Sequence, residues 1–163
     1  MTRDQSRLLD AIATTRAAAE RLRDSLRMGG AELAAAISLS PQDEPGALRE
    51  VDAFVQRYQQ VVEHVTHRLF GAIYRAEELG DRPPPLTRLF RYLESIAALD
   101  ATEPWRVYLE IRNRLVHEYP LDPADRAQAL TDAAEASIAI LTDIDILFAY
   151  IGRRKLLETS DDH

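Results

Sequence analysis

Leu48, Val51, Val55, Tyr58, Val62, Val65 and Leu69 are separated alternately by three and four residues. That spacing is an apolar a/d seam three heptads long, and such a seam demands another helix lying lengthwise against it. No stretch alternates apolar and polar residues with the period of two that a half-buried strand needs; the periodicity is helical throughout. Leu8, Ile12, Ala19, Leu22 and Leu26 mark a first helix, with Gly29-Gly30 as its expected C-cap and Ala31–Ile37 as a short second helix. Ser38–Gly46 reads as a loop. Gly80–Pro85 is expected to stop the seam helix, and Leu86, Leu89, Phe90, Leu93 and Ile96 outline a shorter one. A further helix runs from about Thr102 to Glu118, because Pro120 pushes Tyr119 away from helical geometry. Asp122-Pro123-Ala124-Asp125 is a helix start, with an N-cap side chain, proline in the first turn and an acid near the positive end. The last helix is expected to reach about Leu157. Leu130, Ala134, Leu141, Ile144, Phe148 and Ile151 form its seam, widened by Ile138, Ile140, Ile146 and Leu147, so it is either central or shared with a second subunit. The fold expected is all-α, an up-and-down helical bundle of four to five main helices.

At 163 residues with 46% hydrophobic and 29% charged side chains, the chain suits one domain with a real core. Without cysteine, disulfides, thiolate catalysis and sulfur-bound zinc are excluded. The run Ile138–Ile151 is short of the roughly 20 residues of a membrane span and is broken by Asp143 and Asp145, so no membrane role is expected. The first residues carry no basic-then-apolar pattern, which makes a cytoplasmic location the expectation. A net charge of −7 argues against a broad basic surface for nucleic acid but leaves room for a local basic cleft.

Glycine-rich phosphate loops, HExxH and GxSxG are absent from the sequence. His64 and His67 lie at i, i+3 on the side away from the seam and read as surface residues, so no metal or other cofactor is expected. The chemistry concentrates in Trp105–Tyr119. On a helix Trp105, Tyr108, Leu109, Leu115 and Val116 share one face with Arg112 in its middle, and a buried charge there requires a carboxylate, a polar cavity or a ligand. Arg106, Glu110, Asn113 and His117 line up on the opposite side. The plain alternative is a core ion pair for Arg112 and a solvent-facing His117.

Arg112-Asn113-Arg114-Leu115-Val116-His117-Glu118-Tyr119 reads R-N-x-x-x-H-x-Y and resembles the signature of HEPN domains, specifically of HepT-type toxins. The resemblance spans roughly Ala47–Ile151. It divides the chain into an N-terminal helical extension (1–46) packed on the same domain, a HEPN-like bundle (47–157) and a disordered tail (158–163). It implies a metal-independent endoribonuclease acting as a homodimer on RNA. In that role Arg112 would clamp the scissile phosphate and His117 would move the proton, with Asn113, Arg114 and Arg106 supporting phosphate binding. Tyr119 resembles the position to which a partner minimal nucleotidyltransferase, the antitoxin, transfers AMP; a nucleotide there adds bulk and negative charge beside His117. Arg112 and His117 point about 140° apart on an ideal helix. Either the last turn is distorted before Pro120, or a two-fold dimer brings Arg112 of one chain to His117 of the other. Six arginines against four acids between Arg82 and His117 give a local excess of +2. Two other readings share the same residues: a non-catalytic HEPN subunit that binds a nucleotidyltransferase, and a helical interaction protein.

Overall fold

The computed structural model describes residues 1–38, 45–117 and 122–158; the side chains of 28–38 and 45–48, Leu48 included, lie outside that description. Six α-helices, with no strand among the described residues, build an all-α bundle. They are α1 (Arg3–Ser38), α2 (Pro45–His64), α3 (Phe70–Ala76), α4 (Leu86–Ser95), α5 (Glu103–His117) and α6 (Pro123–Arg153). A π-helical turn, Val65–Leu69, joins α2 to α3 without a break in the helical path. No described helix is long and apolar enough to cross a membrane.

The heptad seam behaves as its spacing requires. Val51, Tyr58, Val62, Val65 and Leu69 are buried, Val55 is half-buried, and α1, which buries Leu8, Ile12, Ala19 and Leu22, packs against α2. These α1 residues belong to the same core as those of the later helices. Thr2 and Gln5 close the start of α1 reciprocally: Thr2 Oγ1 accepts from the Gln5 amide at 3.2 Å and Gln5 Oε1 accepts from the Thr2 amide at 2.8 Å. Phe70 meets Phe90 and Trp105 edge-to-face at 5.7 and 5.0 Å, and Trp105 meets Tyr108 at 5.1 Å. One aromatic chain therefore fastens α3, α4 and α5 together.

Helix ends depart from the sequence reading in a consistent way. The backbone of α1 runs straight through Gly29-Gly30, so this pair is not a C-cap and Ala31–Ile37 is no separate helix. A glycine inside a helix costs only about 1 kcal/mol against alanine, too little to force a stop. The real C-terminal turns of α3, α4 and α6 place Glu78, Ala97 and Lys155 at positive φ of 59°, 57° and 55°. Each carries the paired 6→1 and 5→2 bonds of a Schellman turn, for example Leu156 N–H to the Ile151 carbonyl and Lys155 N–H to that of Gly152. Helix α3 thus ends at Ala76 ahead of Gly80, and α6 ends at Arg153, one turn short of Leu157. The start of α6 is as its residues dictate: Asp122 Oδ1 accepts from the amides of Ala124 and Asp125 at 2.8 and 3.1 Å.

The buried seam of α6 also differs. Leu130, Ala133, Ser137, Ile140, Ile144, Leu147 and Ile151 are buried and step by three and four, whereas Ala134, Leu141 and Phe148 are half-buried and Ile138 is 63% exposed. Ala133 and Ser137 are small and fully buried. The Ser137 hydroxyl is satisfied in place by donating to the Ala133 carbonyl at 2.6 Å. Both ends of α6 are then tied down. At the far end Glu77, just past α3, accepts two bonds of 2.9 Å from Arg154 and a third from the Tyr150 hydroxyl.

Candidate functional site

Helix α5 is held on two sides, by α2 and by α6. Its buried residues are Trp105, Tyr108, Ile111 and Leu115; Leu109 is only half-buried and Val116 is 38% exposed. The buried face is therefore turned toward Ile111 relative to the face expected from the sequence, because the aromatic chain through Trp105 fixes which side looks inward. Arg112 consequently lies at the margin of this face and not in its middle. The Tyr58 hydroxyl donates to the Tyr108 carbonyl at 2.9 Å, a cross-link from α2 that pins the helix just before Arg112. Burial and the neighbouring Tyr108 hold the Tyr58 phenol far above its ordinary pKa, so it remains a neutral donor.

Arg112 has a carboxylate partner. Its Nη2 donates to Glu63 Oε1 on α2, and its Nη1 donates to Asn113 Oδ1 at 3.0 Å. The arginine side chain is 22% exposed and that of Glu63 44%, so the pair sits at the surface of the bundle rather than inside it. Arg112 Nε is buried and has no hydrogen-bond partner among the described residues.

The polar line is formed as expected: Arg106, Glu110, Asn113 and His117 are all exposed. Arg114 leans the other way and pairs with Asp132 on α6 at 3.3 Å. Helix α5 stays helical through His117, so Arg112 turns toward α2 while His117 faces solvent in the last turn. One chain does not bring these two side chains together. Tyr119, the expected modification site, lies outside the described residues, as do Glu118 and 159–163 of the expected tail.

His67 is exposed and His64 half-buried. Burial, followed by the nearby Arg68, holds the His64 imidazole below its ordinary pKa; Arg21 acts in the same direction and Glu63 opposes. The described residues contain no cluster of histidine and carboxylate side chains able to hold a metal ion.

The polar contacts that α5 makes with other helices lay beyond sequence reasoning. The requirement of a partner for Arg112 was legible, but Glu63 is 49 residues away and nothing local selects it from the other acids. Tyr108, read only as apolar, donates its hydroxyl to Asp143 Oδ2 on α6 at 3.1 Å. Compared with protein-family models, with curated proteins and with solved structures, the chain matches none.

Proposed function

We propose that this chain is a metal-independent endoribonuclease of the toxin type, with its site completed across a two-fold homodimer. What supports the reading is the R-N-x-x-x-H-x-Y string together with the exposure of its polar line: Asn113 and His117 stand open to solvent beside Arg106, and the Arg112 side chain stays 22% exposed. RNA brings its own nucleophile, the 2′-hydroxyl. A base removes that proton, the O2′–P bond forms as the P–O5′ bond breaks, and an acid protonates the departing 5′-oxygen. The products are a 2′,3′-cyclic phosphate and a free 5′-hydroxyl. Imidazole suits proton transfer near neutral pH, and a guanidinium fork suits the charge growing on the non-bridging oxygens. In this reading His117 moves the proton, Arg112 holds the phosphate, and Asn113 and Arg106 support it, joined by Arg114 once it is released from Asp132. Because Arg112 and His117 diverge on one helix, the pair is supplied by two protomers. The exposed Val107 and Val116, at 41% and 38%, flank the polar line and suit burial in such a contact. A nucleotidyltransferase partner that adds AMP at Tyr119 would close the site.

The Arg112–Glu63 pair favours a second reading, in which Arg112 is a structural tie and the chain is a helical subunit that binds a partner without cutting RNA. Expression toxicity and RNA cleavage in EDTA, compared for wild type, His117→Ala and Arg112→Ala, separate the two. The ribonuclease reading expects both activities to vanish in both variants. Cleavage that persists in both, or a folded wild-type dimer with no cleavage, refutes it.

A further inference from the structure

A cavity of about 260 Å³ opens between α1 and the π-helical turn, and its polar lining is Arg7, Asp10, His67, Arg68 and Arg75. Three guanidiniums face one carboxylate there, a formal +2 in a chain of −7. Like charges gathered in one partly enclosed space repel, and a bound anion is what relieves that repulsion. Internal partners neutralise the cluster incompletely. Arg7 is shared with Asp4 at 3.2 Å in an exposed pair, and Arg75 Nε donates to the Asp81 carbonyl at 3.0 Å, which holds that guanidinium in place without cancelling its charge. Arg68 is exposed and makes no ion pair among the described residues. The remaining walls include Ala11 and Ala72, both buried and too small to fill the space.

The backbone contributes too. A π-helical turn is uncommon, and such turns recur at functional positions. Here it carries His67 and Arg68, both exposed, while its own Val65, Thr66 and Leu69 stay buried. Burial first and Arg68 second hold the neighbouring His64 imidazole below its ordinary pKa, with Glu63 opposing and Arg21 adding to the lowering.

We propose that this cavity between α1 and the π-helical turn is a phosphate-binding site, with Arg68 as its principal ligand and Arg7, Arg75 and His67 completing it. Guanidinium forks match phosphate oxygens in shape and charge, and the open mouth admits a phosphate that is part of a larger molecule. The phosphate comes either from the backbone of single-stranded RNA or from a small phosphorylated ligand. The site involves none of the α5 residues assigned to cleavage.

The test measures binding in EDTA, so it is independent of whether His117 cuts anything. A labelled RNA oligonucleotide is followed by fluorescence anisotropy and inorganic pyrophosphate by titration calorimetry. The proteins are wild type, Arg68→Gln, Arg7→Gln and, as a control outside the cavity, Arg153→Gln. Arg68→Gln is expected to weaken binding about tenfold and Arg7→Gln by less, with Arg153→Gln unchanged. If the source is RNA, the oligonucleotide binds more tightly than pyrophosphate and Arg68→Gln lowers its salt slope by about one. If the source is a small ligand, pyrophosphate binds and the oligonucleotide does not displace it. Arg68→Gln and Arg7→Gln proteins that bind both probes like wild type, or a wild type that binds neither, overturn the proposal.

Discussion

Replacing Glu63 by glutamine tests what Arg112 is for. The substitution keeps the size of the side chain and an accepting oxygen for Arg112 Nη2, and removes only the charge. Fully exposed ion pairs contribute roughly 0.2–1 kcal/mol. Breaking a fully buried one costs about 3–5 kcal/mol. With the arginine 22% and the glutamate 44% exposed, this pair lies nearer the exposed limit. A loss of about 1 kcal/mol is expected, or roughly 3 °C in Tm for a chain of this size. The same change releases a guanidinium beside Asn113 and removes a repelling carboxylate, so single-stranded RNA should bind several-fold more tightly at low salt. Thermal melts followed by circular dichroism give the first quantity and fluorescence anisotropy in EDTA the second. Glu63→Gln protein that melts more than about 10 °C lower without any gain in RNA affinity refutes the reasoning, because Arg112 is then a strut between α2 and α5.

The clamp at the end of α6 should be acid-sensitive. Bonds from Arg154, the largest effect, and from Tyr150 hold the Glu77 carboxyl below its ordinary pKa, with partial burial opposing. A depressed carboxylate pKa adds stability above the unfolded-state value, and that stability is lost as pH falls through the folded-state value. Glu77→Gln is therefore expected to lose about 2 kcal/mol near neutrality, and the gap to wild type should shrink as pH falls through the lowered Glu77 pKa, measured by urea denaturation from neutral to acid pH. A gap that stays constant with pH rules out the ionised carboxylate as its source. At the other end of α6, Asp122→Ala removes the acceptor for two amides and should cost about 1 kcal/mol, whereas Asp122→Asn or Asp122→Ser should recover most of it in the same assay.

Much of the architecture was legible because helical periodicity is local. The Val51–Leu69 seam, the Asp122 cap and the short helix through Leu89, Phe90 and Leu93 each follow from neighbours within one or two turns. Helix ends were less legible where the chain used Glu78, Ala97 and Lys155 for left-handed turns that glycine usually takes. A side chain at positive φ carries no compositional mark, and the strain is carried by the paired backbone bonds of the Schellman turn. In the candidate site the exposed line of Arg106, Glu110, Asn113 and His117 was readable from spacing, because residues three and four apart share a face whatever surrounds them.

The amino-acid order alone determined an all-helical chain, the faces its helices present, and an arginine on α5 in need of a counter-charge. Tertiary packing decided that Glu63 supplies it, that Ala133 and Ser137 sit in the seam of α6 while Ile138 faces solvent, and that Arg7, Arg68 and Arg75 share a cavity. The division has one physical cause. Hydrophobic periodicity acts within a helix and depends only on nearby residues, whereas the rotation of each helix about its axis, and so the partner of every polar group on it, is fixed by close packing against elements distant in sequence.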